Sequence, residues 1–187
     1  LLWERLARNP DSAYYWNLLA QRALGAGDFA AAAERYGRAV EWADEEGWLY
    51  AQYAQALFFA ANRQFTEAVN LALDRGYALA PDDQTVLGLK GVQAFELGEH
   101  RAAIDYWRRA QSALSPQSTG WQALQSGIER SAALLDEITV AQPSADTDAG
   151  SEASTAIAVS IALAEGVPRA PGQVVFVAVV QAVRAAA

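Results

Sequence analysis

The sequence predicts a mainly α fold, a solenoid of three helix-turn-helix repeats with a capping helix, followed by a short, incomplete β segment. Three observations predict it. Trp16, Tyr50, Leu87 and Trp121 recur at spacings of 34, 37 and 34 residues. Four residues after each stand Ala20, Ala54, Gly91 and Gln125, the first three small, as two closely approaching helices require. The hydrophobic period then changes near residue 154, from helical spacing to alternation.

Within each unit a second register repeats. Tyr36, Leu73 and Trp107 are followed three residues later by Ala39, Gly76 and Ala110. Gly27 and Gly98 interrupt the first and third units midway, where a helix ends and turns back. A period of 34 in this order is the tetratricopeptide (TPR) signature, in which bulky and small residues interlock across a helical hairpin. The first repeat fits best, through Trp16, Leu19, Ala20, Gly27, Phe29, Ala32, Tyr36 and Ala39. The third fits through Gly91, Gly98, Ala103, Trp107 and Ala110. The second is three residues longer, with an irregular inner turn, "FFAANRQFTEA". Trp16, Tyr36, Trp107 and Trp121 read as core residues.

In chain order, "LLWERLARN" reads as a short first helix. Helices are then expected near 12–25, 29–44, 47–61, 65–80, 84–97, 101–114 and 118–137. Pro81 closes the second repeat, and Pro116 falls one residue late in the third. Lys90 stands where an apolar residue is expected, which predicts a snorkelling head group. The last helix carries Trp121, Leu124 and Ile128 on one stripe with no partner helix after it. It reads as the cap over the third repeat.

Residues 1–137 are therefore read as one repeat domain, 138–153 as a linker and 154–187 as a β-rich C-terminal segment. "TVAQPSADTDAGSEA" is small, polar and acidic, as a flexible linker is. "TAIAVSIAL" alternates, with Ile157, Val159, Ile161 and Leu163 on one face, and "QVVFVAVV" is apolar on both faces. Two strands alone are marginal in water, so this segment is expected to pair with further chain or with another molecule. The chain has no methionine, even at its first position, and reads as a fragment or processed form. The terminal "AAA" reads as a cloning remnant.

Composition excludes several function classes. The net charge of −8 disfavours nucleic-acid binding, which needs a basic face, and favours a basic protein partner. The chain has no cysteine and one histidine, His100. Disulfide exchange, thiolate metal sites and paired-histidine haem ligation are therefore outside its chemistry. His100 reads as an ordinary exposed residue in a turn. No glycine-rich phosphate loop or nucleophile with its base is present, so catalysis, cofactors and metals are not expected. No apolar run approaches the roughly 18 residues of a membrane span.

The lengthened second repeat, the stretch "ALDRGYALAPDDQTVLGLKGVQAFELGEHRAAIDYWRRAQSAL", the capping helix, the acidic linker and "IAVSIALAEGVPRAPGQVVFVAV" together resemble the periplasmic part of the CcmI/CycH family. These are TPR subunits of the bacterial cytochrome c maturation system. The resemblance ends at Val180, where "QAVR" departs from the pattern. It implies a periplasmic chaperone, tethered to the inner membrane by a segment outside this chain. Such a protein binds the C-terminal helix of apocytochrome c and delivers it to the other subunits of the haem-attachment complex. Two rivals stand beside it: an accessory TPR subunit of nitrite reductase maturation, and a non-catalytic envelope scaffold.

In TPR arrays the first helix of each repeat lines the concave face. By repeat position the peptide-binding groove consists of Tyr14, Asn17, Gln21 and Leu24 in the first repeat. The second supplies Trp48, Ala51, Gln55, Phe58 and Phe59, the third Gly88, Val92 and Phe95, and the cap Gln122. These are aromatic, aliphatic and amide side chains, which suit the apolar stripe of an amphipathic helix. Phe58 and Phe59 fit inter-repeat packing equally well. The acidic run Asp44–Glu46 reads either as a solvated loop or as a steering patch for a basic partner.

Overall fold

The computed structural model describes residues 2–141. The described residues form eight helices and no strand: α1 Leu2–Arg8, α2 Ala13–Gly25, α3 Phe29–Glu41, α4 Gly47–Ala60, α5 Glu67–Leu79, α6 Gln84–Glu96, α7 His100–Gln111 and α8 Thr119–Ala141. The expected β segment, and the linker from residue 142 onward, lie outside the described residues. Helix α8 runs four residues past its expected end at 137. Residues 138–141 read in sequence as the start of the linker. The Thr139 hydroxyl nevertheless donates to the Leu135 carbonyl at 2.8 Å, a back-bond that fits the residue into the helix.

Short polar side chains start most of the helices. Ser12, Asp28, Thr66 and Asp83 each accept a backbone N–H from the first turn of the helix that follows, which satisfies donors that a helix leaves free. Ser118 does the same for Trp121 at the start of α8. Desolvation pushes the Asp83 carboxyl above its ordinary value, against the two backbone N–H groups that lower it.

The three hairpin turns close in one way. The N–H groups of Asp28, Arg63 and Glu99 donate five residues back, to Ala23, Phe58 and Ala94. This is the six-to-one bond of a left-handed helix terminus. Gly27 and Gly98, both at φ +76°, supply the left-handed residue in the first and third hairpins. The second uses Asn62 at φ 53° and follows it with Arg63 at φ 64°. The irregular turn of the second repeat is thus the same turn with asparagine in place of glycine, extended by a second left-handed residue.

Small residues let the helices approach. Ala20 and Ala54 are fully buried. A Cβ at Gly91 would lie 2.2 Å from Trp107 Nε1, and one at Gly127 would lie 2.9 Å from Cζ3 of the same ring. The Trp107 indole therefore fills a slot between α6 and α8, and it donates to the Gly88 carbonyl at 3.3 Å. From α2 to α8 consecutive helices pack closely in sequence order, except that α5 and α6 touch much less than the other neighbours do. A single apolar core runs from α2 to α8.

Of the expected core aromatics Tyr36 and Trp107 are buried, whereas Trp16 and Trp121 are half-buried; Lys90 and His100 also differ from expectation. Lys90 does not snorkel to water: its side chain is 14% exposed and pairs with Asp74 of α5, with Gln93 as a second acceptor. His100 lies not in the turn but at the first position of α7. Its ring meets Phe95 edge-on at 5.4 Å, and it is half-buried rather than exposed.

Candidate peptide-binding groove

The expected groove residues lie on α2, α4, α6 and α8, and burial divides them. Tyr14, Gln21, Trp48 and Gln122 stand at the surface, with Tyr14 64% and Trp48 44% exposed. Phe95 is half-buried. Asn17, Leu24, Ala51, Gln55, Phe58, Phe59, Gly88 and Val92 are buried.

Most of the buried residues have a packing reason. Phe58 is fully enclosed, with its ring 4.8 Å from Phe65 and 5.7 Å from Phe59, which in turn lies 5.0 Å from Phe29. The longer second turn returns Phe65 onto α4 and closes this aromatic cluster. Ala51 lies under Gly76 of α5, where an added Cβ would stand 3.3 Å from its backbone nitrogen. Gly88 gives its carbonyl to Trp107. Gln55 is 1% exposed, and its Oε1 has no partner. Leu24 and Val92 belong to the core. Phe95 joins α6 to the next two helices: its centroid lies 6.0 Å from Trp107, and the Arg130 guanidinium sits 5.7 Å over its face.

Three of the expected residues do come together. Tyr14 and Asn17 of α2 and Trp48 of α4 line one open depression of about 280 Å³, with Ala13, Ala43, Glu46 and Leu49. It lies at the corner between the first and second repeats. Two contacts shape its walls. Tyr14 meets Tyr15 edge-on at 5.4 Å, and the Trp48 indole N–H donates to Glu46 Oε2 at 2.8 Å. Asn17, 8% exposed, accepts from Gln21 Nε2. Gly47 sets the start of α4 tightly on the end of α5, since a Cβ there would lie 2.7 Å from that of Ala80.

A second depression, of about 380 Å³, is lined by Trp3, Leu19, Arg22, Ala23, Ala26, Asp28 and Arg35. Arg35 donates to the Leu19 carbonyl at 3.0 Å and lies 5.4 Å over the Trp3 ring. Sequence reasoning missed it, because it exists only where the short α1 returns onto α2 and α3. Among the described residues no group of His, Asp and Glu is placed to hold a metal ion. No helix among them is long and apolar enough to cross a membrane.

Residues 2–120 match the family described as the cytochrome c-type biogenesis protein H TPR domain. The chain belongs to this family. The match covers α1 to α7 and ends in the first turn of α8. The chain is 32% identical over 143 residues, 75% of its length, to the cytochrome c-type biogenesis protein CycH of Pseudomonas aeruginosa, of which it spans 35%. It is 26% identical over 125 residues, 67% of its length, to the formate-dependent nitrite reductase complex subunit NrfG of Escherichia coli O157:H7, of which it spans 63%. The chain thus corresponds to about a third of one relative and under two thirds of the other.

Proposed function

We propose that this chain is the TPR module of a cytochrome c maturation factor. It acts in the periplasm as a non-catalytic chaperone, tethered through a segment outside this chain. It captures the C-terminal helix of an apocytochrome c and passes the chain to the other subunits of the haem-attachment complex. The observation that carries this reading is the joint lining of one depression by Tyr14, Asn17 and Trp48, on the first helices of consecutive repeats, in a member of this family. Its apolar walls suit an anchor side chain of an amphipathic helix. The accessible groove is narrower than repeat positions alone imply: Tyr14, Asn17, Gln21, Trp48 and Gln122 line it, with the edge of Phe95.

Tryptophan fluorescence, titrated with a C-terminal helix peptide from a c-type cytochrome of the same organism, tests this. A scrambled peptide of equal charge is the control. Saturable binding of the true peptide alone is the expected result; equal weak responses to both would overturn it and leave a scaffold role. Trp48→Ala should weaken binding by about 1–2 kcal/mol, roughly tenfold, because an exposed aromatic anchor is removed without touching the core. Phe95→Ala should weaken binding and also lower stability, since its ring packs on Trp107.

The match to NrfG favours a second reading, in which the same groove serves maturation of a nitrite reductase. Helical peptides from the C-termini of both client classes, competed against each other, separate the two.

A further inference from the structure

We infer that the corner depression between the first two repeats is a binding site for a cationic side chain, a Lys or Arg carried by the bound helix beside its apolar anchor. This deepens the groove reading and rests on it for the identity of the partner. The site combines the three elements that favour a cation. Tyr14 and Trp48 offer exposed aromatic rings, and aromatic rings attract a cation through their quadrupole. Glu46 supplies a carboxylate at the wall, and no basic side chain lines the depression.

The Glu46 carboxylate is held there by an unusual choice of partner. Glu46 is the N-cap of α4, yet its side chain accepts no backbone N–H from that helix. Oε2 instead takes the Trp48 indole N–H at 2.8 Å. That bond fixes the indole beside the carboxylate and leaves Oε1 open to a second donor. The adjoining Asp44 and Glu45 are exposed and add long-range attraction. Arg75 of α5 does not occupy the site: its guanidinium is turned to the Asp44 carbonyl and lies over the Tyr50 ring.

The test uses a small probe and a peptide on the intact chain. The probe is N-acetyl-arginine N-methylamide, with its citrulline counterpart as neutral isostere. Proton–nitrogen correlation spectra follow the Trp48 indole N–H, assigned by Trp48→Phe. A saturable shift with the arginine probe is expected, about fivefold weaker with citrulline and lost in Glu46→Gln. Equal responses to both probes, or no effect of Glu46→Gln, would overturn the site and leave Glu46 a local partner of the indole. In the peptide arm, replacing the basic residue next to the anchor by citrulline should cost about fivefold in affinity. Unchanged affinity overturns the cation site but not the groove. A response to the probe without any peptide binding overturns the groove reading but not the cation site.

Discussion

At the residue scale, the most demanding position is Gly91. Its missing side chain makes room for the Trp107 indole, which Gly127 confines from the other side. Gly91→Ala should cost about 1–3 kcal/mol, because the ring is 1% exposed and has nowhere to move. Gly27→Ala separates packing from backbone strain: nothing lies within 4 Å of the added Cβ, but φ is +76°. Its cost should be about 1 kcal/mol, from the left-handed conformation alone. Thermal melts of both variants check the order. Glu46 points the other way. As a helix start it is poor, since its carboxylate serves Trp48 instead of the backbone. Glu46→Ser should stabilise α4 by about 0.5–1 kcal/mol while weakening capture of a basic peptide. A gain in both stability and affinity would contradict the role given to Glu46. Gly91 was legible in the sequence as a small residue at a repeat position. Gly127 was not, because the repeat register in the cap points to Gln125. Burial of the groove residues other than Phe58 and Phe59 is equally hidden: repeat position specifies which face a residue takes, and not how closely the next repeat covers that face.

At the element scale, the three hairpins show which part of the pattern a helical repeat requires. What repeats is a backbone state, a left-handed residue before the six-to-one bond, and glycine is one of two ways to reach it. Asn62 is the other, since asparagine tolerates this region better than most residues. From the sequence the hairpin is legible but its turn is not, because an asparagine stands where the other two hairpins have glycine. Arg63 adds a left-handed residue of the kind that strains an ordinary side chain. Arg63→Gly should therefore raise stability by about 0.5–1 kcal/mol, the relief of strain exceeding the entropy that glycine adds to the unfolded chain. A urea titration reads it as a higher midpoint with an unchanged slope. A lower midpoint would mean that the Arg63 stem contributes packing that outweighs the strain. Helix ends were read within a few residues throughout. The widest misses fall at the C-termini of α3, α7 and α8, where no glycine marks the stop.

At the scale of the whole molecule, the helices form a line in which each packs mainly on its neighbours in sequence, and stability is expected to be local in the same way. Helix α8 is the end of that line among the described residues: it covers Trp107 of α7 and has no hairpin partner of its own. Leu124 is its fully buried anchor. Leu124→Ala should cost about 2–4 kcal/mol, and the loss should be uneven. Amide hydrogen exchange should accelerate strongly in α7 and α8 and much less in α2 and α3. The joint between the second and third repeats, where α5 and α6 touch less than any other neighbours from α2 to α8, is the natural place for protection to change. A uniform acceleration across all helices would show a single cooperative unit instead. The distinction bears on function, because the corner that Tyr14, Asn17 and Trp48 line lies in the first two repeats. If stability is local, Leu124→Ala should leave binding of a cationic probe at that corner nearly unchanged while the far end of the array opens. Only contacts that a client helix makes near Gln122 would then be lost.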